Sequence, residues 1–536
     1  MTPFLHFRLW LRRSTASSKA GALIAALMFL GLTVWAAIPS SNSTTSTAAG
    51  TDTLQNLIVP DASTAPSSEA PTSEAPSPAA AAPTSDAAGP SIPPASSAAI
   101  LPVTPASTSV VATTSAAPTS RAASPTKSAS PSVKASSSAG AISCSAIGAP
   151  VKVGVVIVTL GSAGTLNSAF GIASPSDQQK DWQAMFDYVN STKTKAACHP
   201  LAADFQTFDE INSASSAQSV CLQFSQDKVF AVMGGFQPRA SDACLLQHHL
   251  PVFSGFPLMA AQVQQFFPYY FTLSNGILDT VFKNFAHATQ QMGYYTAAKN
   301  FTKVGIFYRD CVAGEYEALV AQLQAVGVTQ ISKYDVGCPT TFATPAQIDQ
   351  AVNQFQTVDH VSTVIPIDAG DLPNFTKQAQ QQSYKPQYLV PDDTTVGTTG
   401  SGSGSPPDAT NFDGAVAITP TQLDGRLFFP EDAVSKQCDA IMTSRGRKGA
   451  YVQGGTGGTC NRIWTLVAAM NNAPSLSSDK LAAGLQKAKS VPYAFPDGPN
   501  DFTKNPTAGG EYWRATTYTS SCTCWKPQTS QFYAPF

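Results

Sequence analysis

Residues 151 to 391 alternate short apolar runs with longer stretches of helical period, and this alternation constrains the fold more than any other feature. Six runs rich in β-branched residues predict strands that are apolar on both faces: 152–158, 229–235, 250–255, 303–308, 361–367 and 386–391. Such strands belong in parallel sheets covered by helices, because a strand with one face in solvent would alternate apolar and polar residues. The pattern predicts an α/β fold with two doubly wound parallel sheets.

The stretches between these runs have the length and period of crossover helices. The clearest examples are 177–190, 213–225, 275–292, 313–326 and 371–382. Ligands in such folds bind where the carboxyl ends of the strands meet their loops. Functional residues are therefore expected in the loops 159–171, 234–242, 254–260, 309–316, 367–373 and 391–396.

The amino-terminal segment has the pattern of a membrane anchor. Four cations precede an uninterrupted apolar run at 20–38, which is long enough to span a bilayer as a helix. Cations before the run place residues 1–19 in the cytoplasm and the rest of the chain outside. Small residues at Val34 and Ala36 leave a cleaved signal peptide and a secreted protein as the alternative.

Residues 39–143 consist mainly of Ser, Thr, Ala and Pro and contain no aromatic residue. A segment of this composition buries too little apolar surface to offset its chain entropy, so we expect a disordered stalk. Both an O-glycosylated stalk and a bare spacer fit the composition. The remaining part of the chain, about 390 residues, is long enough for two lobes.

Charge and motifs exclude several classes of function. The formal net charge is -2, and no basic block follows the amino-terminal cations, which argues against a nucleic-acid partner. The sequence lacks a G-x-S-x-G elbow, a P-loop, H-E-x-x-H and a G-x-G-x-x-G that opens a helix. We therefore expect a protein that is not an enzyme and that uses no cofactor.

All ten cysteines follow the stalk, in agreement with an oxidising exterior. Three disulfides are predicted between elements that should be adjacent in the strand order: Cys221–Cys244, Cys311–Cys338 and Cys438–Cys460. The pairing of four others stays open: Cys144 and Cys198, which precede neighbouring strands, and Cys522 and Cys524, which form a C-x-C. No metal site is expected, because nothing supplies two further ligands to that C-x-C at a known spacing.

Four sequence pieces carry a resemblance to a known family. They are VKVGVVIVTLGSAG from residue 151, DKVFAVMGGFQPRASDACLLQHHLPVFSG from residue 227, FPYYFTLSNGILDT from residue 267 and KVGIFYRDCVAGEYEALVAQLQAVG from residue 303. In this order they resemble the type I periplasmic binding proteins, in particular the receptors for branched-chain amino acids and amides. The resemblance covers the chain from about Cys144 to Phe536.

The resemblance implies two α/β lobes joined by three hinge crossings, near Ser274, 419–421 and 500. Lobe 1 would comprise 144–274 and 421–500, and lobe 2 would comprise 275–420 and 501–536. Carried over onto this sequence, the ligand contacts are Ser162, Gly235, Phe236, Gln237, Ser254, Gly255, Phe256, Ala313, Asp368 and Asp392. An alternative interpretation of Ser162, Gln237 and Ser254 is that they satisfy turn backbone. The family usually has a small hydroxyl residue where Phe236 and Gln237 stand, which puts an α-amino acid ligand in doubt.

The resemblance also implies a function. The chain would capture a small polar organic ligand, such as an amino acid or amide, and deliver it to the permease of an ABC-type transporter. It would be a monomer that contacts the membrane through its amino-terminal helix. The alternative is a membrane-tethered ectodomain that uses the same fold to sense a ligand.

Overall fold

The computed structural model describes residues 144–536 with short gaps. The gaps are 162–163, 165–166, 168–171, 235–241, 255, 274–275, 310–311, 339–341, 368–369, 392, 402–405, 422, 449–455 and 496. The predicted anchor at 20–38 and the predicted stalk at 39–143 lie outside the described residues. Within the described part, no helix has both the length and the apolar character needed to cross a membrane.

The first sheet has five parallel strands. They are Val151–Thr159 (β1), Leu201–Asp209 (β2), Val232–Met233 (β3), Val252–Ser254 (β4) and Tyr270–Thr272 (β5). Their order is β2-β1-β3-β4-β5, and each neighbouring pair is parallel. This is a doubly wound order, in which the chain reverses direction across the sheet between β1 and β3.

The second sheet repeats that order and extends it. Its strands are Val304–Tyr308 (β6), Ile331–Asp335 (β7), Thr363–Ile367 (β8), Gln387–Val390 (β9), Val416–Thr419 (β10), Arg514–Thr519 (β11) and Cys524–Pro527 (β12). Strands β7-β6-β8-β9-β10 are parallel, whereas β11 and β12 add an antiparallel edge. The predicted doubly wound parallel sheet is present, and the antiparallel edge was not predicted. Only residues 520–523 connect β11 to β12, and so short a connection permits antiparallel pairing alone.

Helices occupy the connections between the strands. In chain order, α1 to α14 are Pro175–Ser191, Ser213–Gln226, Ala243–Gln247, Ala260–Gln265, Leu278–Gln291, Glu315–Ala325, Pro345–Asn353, Leu372–Gln381, Asp393–Thr399, Ala409–Phe412, Gly425–Phe428, Ala433–Ser444, Thr456–Asn472 and Leu481–Ala488. Their starts follow local rules. Helix α1, for example, begins with Ser174 accepting the backbone N–H of Asp177 and with Pro175 at its first position.

The chain passes three times between the cores of the two sheets. One core of the first sheet combines β1 to β5 with α12, α13 and α14, as far as Phe502. A core of the second sheet combines residues from Leu278 to Ile418 with Trp513 and Ala515. We call the three connections the hinge segments: from Thr272 to Leu278, from Thr419 to Ala433, and from Phe502 to Trp513.

The hinge segments pack against one another. Thr272 in the first segment forms a parallel bridge with Ala508 in the third, and Thr421 in the second forms an antiparallel bridge with Asp497, which shortly precedes the third. Gly276 lies so close to the third segment that a Cβ on it would approach a backbone oxygen to 2.6 Å. The three connections therefore form one bundle of backbone between the two sheets.

Disulfides cross-link the first sheet and its helices. The predicted bonds Cys221–Cys244 and Cys438–Cys460 are present, with Cα atoms 6.1 Å apart in each. Cys144 pairs with Cys198, and Cys522 pairs with Cys524, which settles the two pairings that the sequence left open. Cys338 is disulfide-bonded as well. Its predicted partner, Cys311, lies outside the described residues, so that pairing stays a prediction.

Candidate functional site

The carboxyl ends of the parallel strands in both sheets point toward the hinge segments. Strand β5 ends at Thr272 and β10 ends at Thr419, and each leads directly into a hinge segment. Because parallel strands end at the same edge of a sheet, the loops that follow β1 to β5 face the same region as those that follow β6 to β10. This region is the candidate binding cleft.

The loop after β1 is folded back by Asn167. Its buried side-chain oxygen accepts the N–H of Leu160 at 2.7 Å, and its amide nitrogen donates to the carbonyls of Val158 and Ala173, each at 3.0 Å. Satisfying backbone groups in this way fixes a turn without regular structure. The loop therefore starts at a defined position beside the switch point of the first sheet.

Two acids follow β2 at the edge of the cleft. Asp209 accepts the N–H of Gly161 at 3.1 Å and so ties the β2 loop to the β1 loop. Glu210 comes next and is partly buried. Burial, reinforced by the charge of Asp209, raises the pKa of Glu210 to about 7. The carboxyl group therefore keeps its proton to a higher pH than an exposed glutamate does.

Ser254 ends β4 and is fully buried. Its hydroxyl oxygen accepts the N–H of Phe256 at 3.1 Å, while the carbonyl of Phe256 accepts the hydroxyl of Tyr270 at 3.0 Å. The hydrogen bond from Phe256 satisfies a backbone N–H of the turn, which is the alternative role predicted from the sequence for Ser254. The same hydroxyl remains able to donate, so ligand contact by Ser254 stays a prediction.

An ion pair occupies the switch point of the second sheet, between β6 and β8. Arg309 donates from Nε and Nη2 to one carboxylate oxygen of Asp371, at 3.1 and 2.5 Å, and the other oxygen accepts the N–H of Ala343 at 2.9 Å. The guanidinium also lies 5.5 Å from the ring of Phe342, which is 43% exposed. The guanidinium of Arg309 and the exposed ring of Phe342 therefore lie side by side at the edge of the candidate cleft.

Ala313 follows β6 at the same edge and is exposed. Its neighbour Val312 is buried and accepts the N–H of Glu315, while Gly314 takes φ 83° before α6 begins. A left-handed residue at this point suits glycine. The turn thus presents Ala313 outward, and its predicted ligand contact remains untested.

Two arginines lie beside the hinge segments. Arg462 on α13 is near Asp497, which also accepts the amide N–H of Asn461 at 2.7 Å. Burial lowers the pKa of Arg462, and the charge of Asp497 opposes that shift. Arg514 is the first residue of β11, pairs with Thr419 and is fully buried. Burial lowers the pKa of Arg514 to about 10, so it stays cationic at neutral pH.

Most of the predicted ligand contacts cannot be placed. Outside the described residues lie Ser162, Gly235, Phe236, Gln237, Gly255, Asp368 and Asp392. Their roles stay predictions. Ser254, Phe256 and Ala313 are described; Ser254 ends β4, Phe256 and Ala313 lie on the loops after β4 and β6, and all three are at the expected edge of their sheet.

Sequence reasoning missed several groups that the fold brings to this region. Arg309 and Asp371 fall inside two of the predicted functional loops, so their position after a strand was a usable signal. Glu210 directly follows β2, and because the sequence of β2 is polar, hydrophobic pattern did not indicate that a strand ends there. For Arg514 no local signal exists, because an arginine in a polar segment is ordinarily exposed.

One cluster in the described part has the composition of a metal site, but its chemistry does not fit one. Cys221, Cys244 and His248 lie close together. The two cysteines are bonded to each other, so neither offers a thiolate, and His248 interacts with Ser225 at 3.2 Å. This cluster is a disulfide beside a helix terminus.

Two α/β lobes of the same strand order, between which the chain crosses three times, define the type I periplasmic binding protein fold. The structural neighbours of this chain are such proteins, including leucine-, isoleucine- and valine-binding proteins and solute-binding proteins of ABC transporters. No family model matches the chain, and no curated protein matches it either.

Three solved structures illustrate the likeness, each aligned over 72% of this chain. An ABC transporter substrate-binding protein from Aeropyrum pernix gives a TM-score of 0.55 at 13% identity over 97% of its own length. A solute-binding protein from R. palustris, in complex with 4-hydroxybenzoate, gives 0.52 at 14% identity over 97%. A leucine-binding protein from Thermotoga maritima gives 0.50 at 14% identity over 99%. At these identities the likeness shows the fold.

Proposed function

We propose that the chain is an extracytoplasmic solute-binding protein that captures a small polar organic ligand between its lobes for an ABC-type transporter. One observation carries the proposal: the carboxyl edges of both sheets lead into the same bundle of hinge segments. Loops from both lobes therefore line a single cleft, where doubly wound sheets bind their ligands. Closure about the hinge would then enclose the ligand.

The structural neighbours support binding rather than catalysis. Those described above are solute-binding proteins, and the bound or named compounds, 4-hydroxybenzoate and leucine, are small organic molecules with a carboxylate. The lack of nucleophile and phosphate-binding motifs in the sequence agrees with them. Amino acids and amides are the ligand class that the sequence resemblance favours.

The proposed lobes are 144–274 with 421–500, and 275–420 with 501–536. The first would contribute the loops after β1, β3 and β4, and the second those after β6, β8 and β9. Membrane attachment through 20–38, a stalk at 39–143, a permease as partner and a monomeric state complete the proposal. The apolar run and the stalk also favour a second candidate, a tethered ligand-sensing ectodomain with the same cleft.

A thermal-shift screen tests the proposal on the chain from Gly140 onward. The panel comprises amino acids, amides, urea, short-chain acids and aromatic acids. A ligand at 100 times its dissociation constant adds about 2.7 kcal/mol to the free energy of unfolding, so at least one compound should raise the melting temperature measurably. If no compound in the panel does so, the proposed function is wrong.

A matched pair of variants locates the binding region. Ala313→Trp places a bulky side chain at the cleft edge of the second sheet and should abolish the ligand-induced shift. Ala297→Trp makes the same change at another exposed position, before β6 and hence at the opposite edge, and should leave the shift intact. Equal ligand-induced shifts in the two variants would place the ligand elsewhere.

A further inference from the structure

Arg514 pairs with no acid among the residues that the structure describes. It begins β11, directly opposite Thr419, where the second sheet meets the hinge segments. Its side chain is fully buried, and its guanidinium lies near the faces of two aromatic rings, 5.4 Å from Phe429 and 4.7 Å from Phe532. The rings attract the cation but offer no hydrogen-bond acceptor to its edge.

Two donors of this guanidinium are unsatisfied. Nε and Nη2 are both buried, and neither has a hydrogen-bond partner. Burial lowers the pKa of Arg514 to about 10, and no carboxylate of the described residues opposes that shift. An ionised group taken out of water without a partner destabilises the fold, so a structural role alone does not explain why an arginine stands here.

Three other arginines that are partly withdrawn from solvent pair with carboxylates. These pairs are Arg309 with Asp371, Arg426 with Glu431, and Arg447 with Asp181. Arg309 binds its carboxylate through Nε and Nη2, the same two nitrogens that Arg514 leaves free. That planar edge matches a carboxylate in both spacing and charge.

A second guanidinium near the hinge has the same deficit. Arg462 lies on α13, a helix that contributes to the first sheet's core, and its buried Nε has no hydrogen-bond partner. The negative charge of Asp497 opposes the lowering of the pKa of Arg462. The next residue, Gly498, lies beside the ring of Phe532, which is also near Arg514. Two guanidiniums with buried, unsatisfied nitrogens therefore lie beside the hinge segments.

We propose that the Nε–Nη2 edge of Arg514 binds the carboxylate of an organic-acid ligand held at the hinge end of the cleft. This inference rests on the proposed function and names the ligand class. Phe429 belongs to the second hinge segment, whereas Arg514 belongs to the sheet, so hinge motion uncovers the guanidinium. The rings of Phe429 and Phe532 then provide apolar walls beside the carboxylate for an aliphatic or aromatic body.

Matched acid and amide pairs test the ligand class by calorimetry. The probes are benzoate with benzamide, hexanoate with hexanamide, and leucine with leucinamide. The wild-type chain should bind the acid of at least one pair about 100-fold more tightly than its amide, and Arg514→Gln should remove that preference. Arg445→Gln is the matched control, because Arg445 stacks on Tyr188 at 5.6 Å but donates to Ser444 and Ser191 far from the hinge.

Three outcomes are distinguishable. An amide that binds as tightly as its acid, or an acid preference that survives in Arg514→Gln, overturns the carboxylate site while leaving the proposed function standing. Binding of neither member of any pair, together with an empty thermal-shift screen, overturns both. Loss of the preference in Arg514→Gln and its retention in Arg445→Gln supports the site.

A ligand-free measurement separates recognition from a structural role. Arg514→Met keeps the volume and the contacts with both rings but removes the unpaired charge. The melting temperature of the free protein should therefore stay the same or rise. A fall of about 5 °C or more would show that Arg514 stabilises the fold through its contacts with Phe429 and Phe532, and would overturn the proposal.

Discussion

The charged side chains near the candidate cleft differ in how the cost of their burial is compensated. Arg309 and Asp371 satisfy each other, whereas Arg514 keeps two donors without a partner. Glu210 shows a third response, because burial and the charge of Asp209 raise its pKa to about 7 instead of bringing a cation to it. Each response follows from the cost of removing an ionised group from water.

The raised pKa of Glu210 predicts a pH-dependent effect of Glu210→Gln. The folded state binds the proton more tightly than the unfolded state, whose pKa is near 4.5. Below that pH the carboxyl is protonated in both states; above it the wild-type protein loses stability progressively until the pH passes about 7. At pH 8, Glu210→Gln should thus be more stable by about 2 kcal/mol, a figure reduced for the partial exposure of the side chain.

Urea unfolding at pH 4 and pH 8 measures this difference. The two proteins should have similar free energies of unfolding at pH 4 and should differ at pH 8. Glu317→Gln on α6 is the matched control, since Glu317 is exposed. A wild-type protein as stable as Glu210→Gln at pH 8 would show that Glu210 is solvated and ionised without penalty.

The site was only partly predictable from the sequence at the scale of residues. Loops after strands could be located from hydrophobic pattern, and Arg309, Asp371, Ser254 and Ala313 all fall in them. Hydrogen-bond partners could not be predicted, because the contact between Arg309 and Asp371 joins residues that are far apart in the chain. The buried state of Arg514 depends on Phe429 and Phe532, which only the tertiary fold brings to it.

Helices α13 and α14 pack so closely at Gly484 that no side chain fits between their backbones. A Cβ at Gly484 would lie 2.0 Å from the carbonyl oxygen of Ala469 and 2.9 Å from the nitrogen of Ala473. Both clashes are with backbone, which cannot turn aside as a side chain can. This pair of helices reaches the first sheet's core from a distant part of the sequence.

Gly484→Ala should therefore lower the free energy of unfolding by about 3 kcal/mol, as overpacking of a well-filled contact does. Gly397→Ala provides the matched control within helix α9, because a Cβ there meets nothing within 4 Å. The control should be neutral or should stabilise by about 0.5–1 kcal/mol, since alanine favours a helix interior. Equal urea midpoints for the two variants would contradict this packing.

Elements with strong local patterns were predictable, and those that depend on distant partners were not. The run at 152–158 lies within β1, the runs at 303–308 and 361–367 contain β6 and β8, and all five predicted helices form. Strand β7 was missed because it is polar and half-exposed, as edge strands are. Strands β11 and β12 were missed because their register follows from β10, about a hundred residues earlier.

The whole molecule repeats one strand order in two sheets and links them by a bundle of hinge segments. The hydrophobic pattern alone predicted two sheets. Only the family resemblance predicted that the chain from α12 to α14 returns to pack on the first sheet. No local property of residues 433–488 tells which sheet they cover. The two sheets have separate hydrophobic cores joined by the hinge segments, and this geometry suits a closing motion.

Closure of this cleft on a ligand is the central claim, and the distance between the two lobes measures it most directly. Every described cysteine is disulfide-bonded, so introduced cysteines can carry spin labels. Ala214 and Ala346 are exposed in the first turns of α2 and α7, which follow the edge strands β2 and β7 in the two lobes. Labels at Ala214→Cys and Ala346→Cys should approach one another when saturating ligand is added.

The same measurement within one lobe provides the reference. Labels at Ala214→Cys and Lys436→Cys, both exposed and both on the first lobe, should keep their distance with and without ligand. A shorter interlobe distance beside a constant intralobe distance is the result that a hinged binding protein predicts. An interlobe distance that does not change when a ligand from the thermal-shift screen is bound would contradict capture between the lobes.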